Sequence, residues 1–449
     1  MAVKRLRRGL EFSAKVGLLD PQIIIHRKLG EVAMTRNDVP GAVEEYRRSI
    51  AMLDSVSRRI PSDVGKVGYR GERNKALPLL VQALYESYRR SPTQAARDDL
   101  LDAIESGKAR AMTELLFPGK TDAAATIALK SLRDAIPADT AVLEFYLAED
   151  TDQVFQVLLS RSGSQVQLLS VTGEELSSRV SAMRKQIIAI ESFTESSFKS
   201  DAAQLARILL PDAWSSSFDS IPFRHLYIVP AGPLHQYPFA TLVDQRGRYL
   251  DDAEKLEVAY LPSAAMLMRP APLAAEASRT ATFIGPEAEK LQHEVLAATG
   301  ELREQLRESI QHWRGGDFEW EQPLTARAFL ERARNLDNVF LYAHARFLPE
   351  DPVSSYIKFA GPTEATSRLT AADLLQTKVG KGLWVLAACS TGGGRVRSGD
   401  EVMGLPRALL LAGVGMVVIT LWDVDTESSF DVMVRFYTCL LYTSPSPRD

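Results

Sequence analysis

The feature that most restricts the fold of this chain is a series of short apolar segments that alternate with helical patterns. Strands are predicted at Arg224–Val229, Thr282–Ile284, Val339–Ala343, Leu383–Ala388 and Val414–Leu421. Helices are predicted at Thr325–Ala333, Thr370–Thr377 and Glu401–Leu411. Strands that are apolar throughout are buried on both faces, and helical connections are typical of parallel strands. The pattern therefore predicts an α/β domain with a mostly parallel sheet covered by helices on both faces.

A helical segment precedes this pattern and extends to about Gly119. Within it, the stretch from Ile23 to about Val56 agrees with the 34-residue tetratricopeptide repeat at four positions, namely Leu29, Gly30, Ala42 and Tyr46. A plain helical hairpin explains a single unit equally well. We predict an α-helical tetratricopeptide-like segment over residues 1–119 and the α/β domain over residues 120–438. Short strands are predicted to open that domain, at Ala141–Leu147, Gln153–Ser160 and Gln165–Val171.

The end of the chain, residues 439–449, resembles the translation of a sequencing adapter. The run from Cys439 to Ser444 agrees with consecutive codons of a transposon-type adapter, and the rest is rich in serine and proline. A genuine low-complexity tail is the alternative. We predict an adapter translation here, which is left out of the fold prediction, and a natural chain that continues differently beyond Thr438.

Composition narrows the range of partners and compartments. The formal net charge of the 449 residues is −4, which does not favour nucleic acid as a partner. No apolar run is long enough for a membrane span. The 2 cysteines exclude a disulfide framework and predict a cytoplasmic protein. No metal-ligand spacing is present, and Gly392–Gly394 lacks the remainder of a phosphate-binding loop, so we expect no cofactor.

Two side chains that can support nucleophilic chemistry follow predicted strands directly. His344 follows Val339–Ala343, and Cys389 follows Leu383–Ala388. Reactive groups of open parallel sheets lie beyond the carboxyl ends of the strands, and a thiol needs a base to become a nucleophilic thiolate. The alternative is structural: a cysteine after an apolar strand is commonly a small buried hydrophobe.

The sequence around these residues resembles the CHAT domain family, whose members are caspase-like domains commonly attached to tetratricopeptide repeats. The nucleophile motif of that family is similar to Leu383–Gly392, which contains Cys389. Further segments resemble the family at Ala103–Ala111, Ile228–Phe239, Leu369–Leu375, Gly399–Val414 and Val418–Asp425. The interval between His344 and Cys389 also resembles the spacing in caspases. The resemblance implies a caspase-like fold for the α/β domain.

The resemblance also implies roles for individual residues. His344 would be the general base, Cys389 the nucleophile, and the backbone N–H groups of Ala345 and Cys389 the oxyanion hole. The family usually has glycine after the histidine, whereas this chain has Ala345, which keeps the N–H group but disfavours positive φ.

Acidic residues near the motif are candidates for a pocket that binds a basic side chain of the substrate, namely Asp400, Glu401, Asp423 and Asp425. In the alternative, Asp400 caps the helix predicted at Glu401–Leu411, and Asp423 and Asp425 are solvated loop residues. We predict a cysteine endopeptidase that acts on a protein or peptide and is regulated by a protein partner on the helical repeats. The alternative is an inactive CHAT-like scaffold that acts by protein–protein binding, which an unreactive Cys389 thiol would indicate.

Overall fold

The fold is taken from a computed structural model. It describes residues 2–73, 75–108, 112, 129–189, 193–253, 255–269, 280–284, 304–305, 307–308, 320–321, 324–348, 350–387, 395–397, 401–422 and 426–443. The chain forms two compact units. The N-terminal unit comprises residues 1–269 and 396–402, and the C-terminal unit comprises residues 270–395 and 403–449. The predicted boundary at Gly119 lies outside the described residues.

The N-terminal segment is helical, as predicted. Its described helices are α1 (Ala2–Lys15), α2 (Leu19–Thr35), α3 (Val39–Ser57), α4 (Asp63–Arg73), α5 (Ala76–Arg90) and α6 (Gln94–Gly107), and helix α7 (Leu129–Ala135) follows the segment. Helices α2 and α3 form the tetratricopeptide-like pair. A Cβ atom at Gly30 would lie 2.4 Å from the Tyr46 ring, so the small residue of the template lets the two helices approach. His26 Nδ1 and Glu45 Oε2 lie 2.6 Å apart across the same interface.

A mixed sheet follows the helices within the same unit. Its strands are β1 (Thr140–Ala148), β2 (Gln153–Ser160), β3 (Gly163–Thr172), β4 (His225–Val229) and β5 (Glu257–Tyr260), in the order β3-β2-β1-β4-β5. The neighbouring helices are α8 (Gly173–Ile188), α9 (Glu195–Leu209) and α10 (Asp212–Ser216). Leu143 of β1 packs in one core with α8 and α9, whereas Val142 packs in another with α5 and α6. The helical segment therefore covers one face of this sheet and shares its core.

The C-terminal unit contains the predicted parallel sheet, except that the strand predicted at Arg224–Val229 is β4 of the mixed sheet. Its strands β6 (Thr280–Ile284), β7 (Trp320–Glu321), β8 (Asn338–Tyr342), β12 (Leu383–Ala387) and β15 (Met416–Ile419) have the order β15-β12-β8-β6-β7, and every pair is parallel. The described helices of this unit are α11 (Ala326–Ala333), α12 (Glu364–Ser367), α13 (Ala371–Leu375), α14 (Leu405–Ala412) and α15 (Thr426–Thr443).

Both faces of this parallel sheet are covered by helices, which confirms the predicted fold class. Trp384 of β12 packs with residues of α11, α13 and α14. Val385, the next residue, packs on the opposite face with Met433 and Tyr437 of α15. Successive side chains of a strand point to opposite faces. The apolar residues along β8 and β12 thus reflect two cores, one on each side.

Short strands that the periodicity does not reveal complete the unit. Strands β9 (Ala345–Arg346), β10 (Tyr356–Lys358) and β11 (Arg368–Thr370) form an antiparallel sheet in the order β11-β10-β9. Strands β13 (Arg395–Arg397) and β14 (Glu401–Met403) pair with each other, and most of their residues belong to the N-terminal unit.

The helix predicted at Glu401–Leu411 is partly wrong, because Glu401–Met403 forms strand β14 and helix α14 begins at Leu405. Pro406 lies in the first turn of α14, where its missing N–H costs no hydrogen bond. Gly404 precedes this turn with φ of 156°, a backbone conformation that favours glycine. Glu401 therefore does not start the helix, whose N-cap position is occupied by Gly404.

Candidate active site

The two strands that lead to the candidate site, β8 and β12, are aligned by a buried side chain at their first residues. Asn338 begins β8 and is 6% exposed. Its Oδ1 accepts a hydrogen bond of 2.9 Å from the backbone N–H of Leu383, the first residue of β12. A buried N–H without a partner would be costly. This bond therefore favours one alignment of β8 against β12.

That alignment fixes which residues lie side by side at the other ends of the strands. Trp384 lies beside Val339, and the pairing continues without a shift to Ala387 beside Tyr342. Each paired residue of β12 thus comes 45 positions after its partner in β8, the same interval that separates Leu383 from Asn338. His344 and Cys389 are also 45 positions apart in the sequence. Cys389 itself lies outside the described residues.

His344 lies between the end of β8 and the start of β9, and its side chain is exposed. Its backbone carbonyl accepts a hydrogen bond of 2.7 Å from the N–H of Lys358 in β10. The residues on either side, Ala343 and Ala345, pack against the core that contains Trp384. Because side chains alternate along a strand, the His344 side chain points away from that core, and its imidazole is accessible from solvent.

The backbone at Ala345 is extended, and its N–H group is not used by the neighbouring strand. His344 and Lys358 form a hydrogen-bonded pair in the antiparallel ladder. Ala345 and Ile357 are the next pair, which is therefore of the non-hydrogen-bonded type, and the N–H of Ala345 points away from β10. Positive φ at non-glycine residues occurs in the described residues only at Asn37 and Asp152. The backbone at Ala345 thus has negative φ, which alanine adopts without strain.

The predicted acidic pocket is only partly described. Asp400, Asp423 and Asp425 lie outside the described residues. Glu401 begins strand β14, and its side chain is not described. Within the described residues, no group of three or more His, Cys, Asp or Glu side chains is arranged to hold a metal ion. None of the described helices is sufficiently long and apolar to cross a membrane.

The sequence analysis missed a group of side chains next to His344. Arg346, Tyr356, Lys358 and Arg368 all belong to the small sheet of β9, β10 and β11. The guanidinium carbon of Arg368 lies 4.3 Å from the centre of the Tyr356 ring. The signal in the sequence is an alternation of polar and apolar residues, which is too short in strands of two or three residues to be recognised.

Comparison with known proteins matches one domain family to the α/β part of the chain. The profile of the CHAT domain matches residues 199–448, which is more than half of the chain. Among curated proteins, mouse tetratricopeptide repeat protein 28 is 40% identical over 73 residues. That match covers 16% of this chain and 3% of the mouse protein.

Solved structures with a similar fold include two crystal structures of the Saccharomyces cerevisiae separase–securin complex. The first has a TM-score of 0.54 and 11% identity and covers 88% of this chain. The second has a TM-score of 0.52 and 11% identity and covers 95% of this chain. The chain spans only 34% and 37% of the two matched yeast chains. At this identity the likeness shows the fold alone, which is caspase-like.

Proposed function

The chain belongs to the CHAT domain family, and we propose on that basis that it is a cysteine endopeptidase with His344 and Cys389 as its catalytic dyad. The observation that carries the proposal is the strand register. Residues of β8 and β12 that lie side by side are 45 positions apart. A register that continues beyond the strand ends would bring Cys389 next to His344. The caspase-like fold supports the same assignment.

In the proposed reaction, the imidazole of His344 takes the proton of the Cys389 thiol, and the thiolate attacks the carbonyl carbon of the peptide bond. The negative charge moves to the carbonyl oxygen, where the N–H groups of Ala345 and Cys389 would donate hydrogen bonds. His344 returns the proton to the leaving amine, and the acyl-enzyme forms. Water, deprotonated by His344, then hydrolyses the thioester and releases the second product and the free thiol.

The reactivity of the thiol tests this dyad. We expect the pKa of Cys389 to lie clearly below about 8.5, the value of a free thiol, because a neighbouring imidazolium stabilises the thiolate. The rate of alkylation should be measured against pH in a Cys439→Ser background, because Cys439 is exposed and would react as well. His344→Ala should remove the shift. An ordinary titration that is the same in both variants would contradict the dyad and favour the scaffold function.

Peptide cleavage provides the functional measurement. Cys389→Ala and His344→Ala should each reduce cleavage by on the order of 10³-fold or more, as expected for members of a catalytic unit. Cys439→Ser is the matched control, because it removes the exposed cysteine, and it should retain full activity. Equal activity in Cys389→Ala and the wild type would rule out this nucleophile.

We further propose that Asp400, Glu401, Asp423 or Asp425 binds a basic side chain at the cleaved bond. A carboxylate in such a pocket would form a charge-assisted hydrogen bond with arginine or lysine. A peptide library should then show cleavage after basic residues. Neutralisation of the responsible acid to Asn or Gln should abolish this preference, and a preference that survives all four substitutions would refute the pocket.

We also propose that a cytoplasmic protein partner regulates the peptidase through the helical segment. Large apolar side chains are exposed there at Phe12, Val16, Leu18 and Ile24. Apolar side chains that are exposed as a contiguous patch mark protein contacts. Cleavage activity in an extract of the source cells should exceed that of the purified chain, and Phe12→Ser with Val16→Ser should lose the excess. Unchanged activity of the double variant in the extract would refute this role.

A further inference from the structure

The sheet that carries His344 has two different faces. Ala345, Ile357 and Leu369 pack in the core with Trp384, and Ile357 and Leu369 are at most 1% exposed. Their neighbours along each strand must therefore project from the opposite face. These neighbours are His344, Arg346, Tyr356, Lys358, Arg368 and Thr370. We call this set the outer face of the small sheet.

The outer face is basic and contains no acidic residue within its three strands. The register places Lys358 directly opposite Arg368 on one side and opposite His344 on the other. Side chains opposite each other on antiparallel strands lie about 5 Å apart, and like charges in such positions destabilise the sheet. The outer face therefore concentrates three basic side chains, Arg346, Lys358 and Arg368, beside His344.

The aromatic residue of the outer face adds a contact surface. The Arg368 guanidinium stacks on the Tyr356 ring at 4.3 Å and also forms an ion pair with Glu364 of α12. Glu364 is 75% exposed, so a partner can compete for the guanidinium. Arginine and tyrosine are enriched at protein interfaces because they combine a large contact area with hydrogen-bond donors.

From this arrangement we propose that the outer face of the small sheet binds an acidic segment of the protein substrate beside the scissile bond. The inference rests on the proposed peptidase function, because it uses His344 as the neighbour of the cleaved bond. Carboxylates of the substrate segment would pair with Lys358, Arg368 and Arg346. The occupant is thus an acidic peptide segment, and it is distinct from the basic side chain proposed for the acidic pocket.

Peptide binding tests the inference without any cleavage. The full chain with Cys389→Ala would be titrated into a fluorescein-labelled peptide rich in glutamate and into the same peptide with glutamine in place of each glutamate. We expect the glutamate peptide to bind about tenfold more tightly, as a few exposed ion pairs would produce, and added salt to reduce the difference.

Variants locate the binding surface. Lys358→Glu with Arg368→Glu should abolish the preference for the glutamate peptide, and the milder pair Lys358→Gln with Arg368→Gln should reduce it. Arg327→Glu is the matched control, because Arg327 is also in the C-terminal unit, on α11, and its side chain is 91% exposed. Thermal melting of each variant reports whether the fold is retained. If the charge-reversed pair does not fold, the neutral pair decides the question.

The outcomes separate this inference from the proposed function. Equal affinity for the two peptides, or a preference that survives the substitutions at Lys358 and Arg368, would overturn the inference. Cleavage by the wild-type chain without any acidic preference near the cleaved bond would also overturn it, while the peptidase function would stand. Preferential binding of the glutamate peptide by a chain that cleaves no peptide would support the surface and contradict the peptidase function.

Discussion

At the scale of single residues, two glycines allow the loop before β12 to approach the segment between helix α11 and strand β8. A Cβ atom at Gly380 would lie 1.5 Å from the carbonyl oxygen of Leu336. A Cβ atom at Gly382 would lie 2.4 Å from the carbonyl oxygen of Asp337 and 2.5 Å from Oδ1 of Asn338. A side chain at either glycine would therefore collide with backbone atoms or with Asn338, and moving the loop to make room would disturb the register of β8 and β12.

We therefore expect Gly382→Ala to lower the free energy of unfolding by about 1–3 kcal/mol, as for other overpacked sites. Gly163→Ala is the control, because no atom lies within 4 Å of its Cβ position, and it should change stability by less than about 0.5 kcal/mol. Urea denaturation measures both. Equal stability of the two variants would show that the loop has room for a side chain near Asn338.

At the scale of elements, a buried carboxyl group joins helix α6 to the sheet of the N-terminal unit. Oε1 of Glu105 accepts hydrogen bonds from the Ser263 hydroxyl at 2.7 Å and the Ala265 N–H at 2.8 Å. The Glu105 carboxyl group also shares a hydrogen bond with Glu144 of β1, and the buried Lys108 interacts electrostatically with it. Burial raises the pKa of Glu105 above its ordinary value, because desolvation outweighs these favourable contacts.

The raised pKa has a definite consequence for stability against pH. The folded protein holds the proton of Glu105 more tightly than the unfolded chain does. The stability that this proton contributes is therefore fully present below the ordinary pKa of 4.5 and is lost as pH rises through the pKa of the folded protein. Glu105→Gln keeps an oxygen acceptor and has no proton to lose. We expect this variant to lose less stability than the wild type between about pH 4 and neutral pH.

Thermal melting across this pH range tests the expectation, and Glu11→Gln is its control because Glu11 is exposed on α1. The control should follow the wild-type profile. A Glu105→Gln profile that also coincides with the wild type would show that the buried carboxyl group does not couple α6 to the sheet through its proton.

At the scale of the whole molecule, the two units have separate cores. The cores of the N-terminal unit are built from residues up to Met268. The cores of the C-terminal unit are built from residues from Leu324 onward and lie around Trp384 and Tyr437. A chain with separate cores departs from a single two-state transition when each core unfolds as its own cooperative unit.

We expect calorimetry to resolve two transitions. Leu143→Ala and Leu341→Ala should each cost about 2–5 kcal/mol but shift different transitions, because they line different cores. Leu80→Ala, in helix α5, should shift the same transition as Leu143→Ala, because α5 shares its core with Val142 of β1. A third transition that responds only to Leu80→Ala would instead support a separate helical domain over residues 1–119.

Local pattern was sufficient for the main elements because each signal lies within a few neighbouring residues. The apolar run Val339–Ala343 predicts a buried strand, and the structure has β8 at Asn338–Tyr342. The run Leu383–Ala388 likewise corresponds to β12 at Leu383–Ala387. The position of His344 just beyond a strand end follows from the same pattern. The pairing of His344 with Cys389 stays a prediction, because Cys389 lies outside the described residues.

The sequence by itself determined the longer helices and strands and the position of His344 after a strand, because burial on two faces and the residue that follows a strand can be recognised from neighbouring positions. Tertiary structure decided which distant segments meet. Glu105 bonds to Ser263 across 158 positions, and the outer face beside His344 is assembled from three strands of two or three residues each. Such contacts form only in the folded chain, because local sequence periodicity carries no information about which distant residue will be in contact.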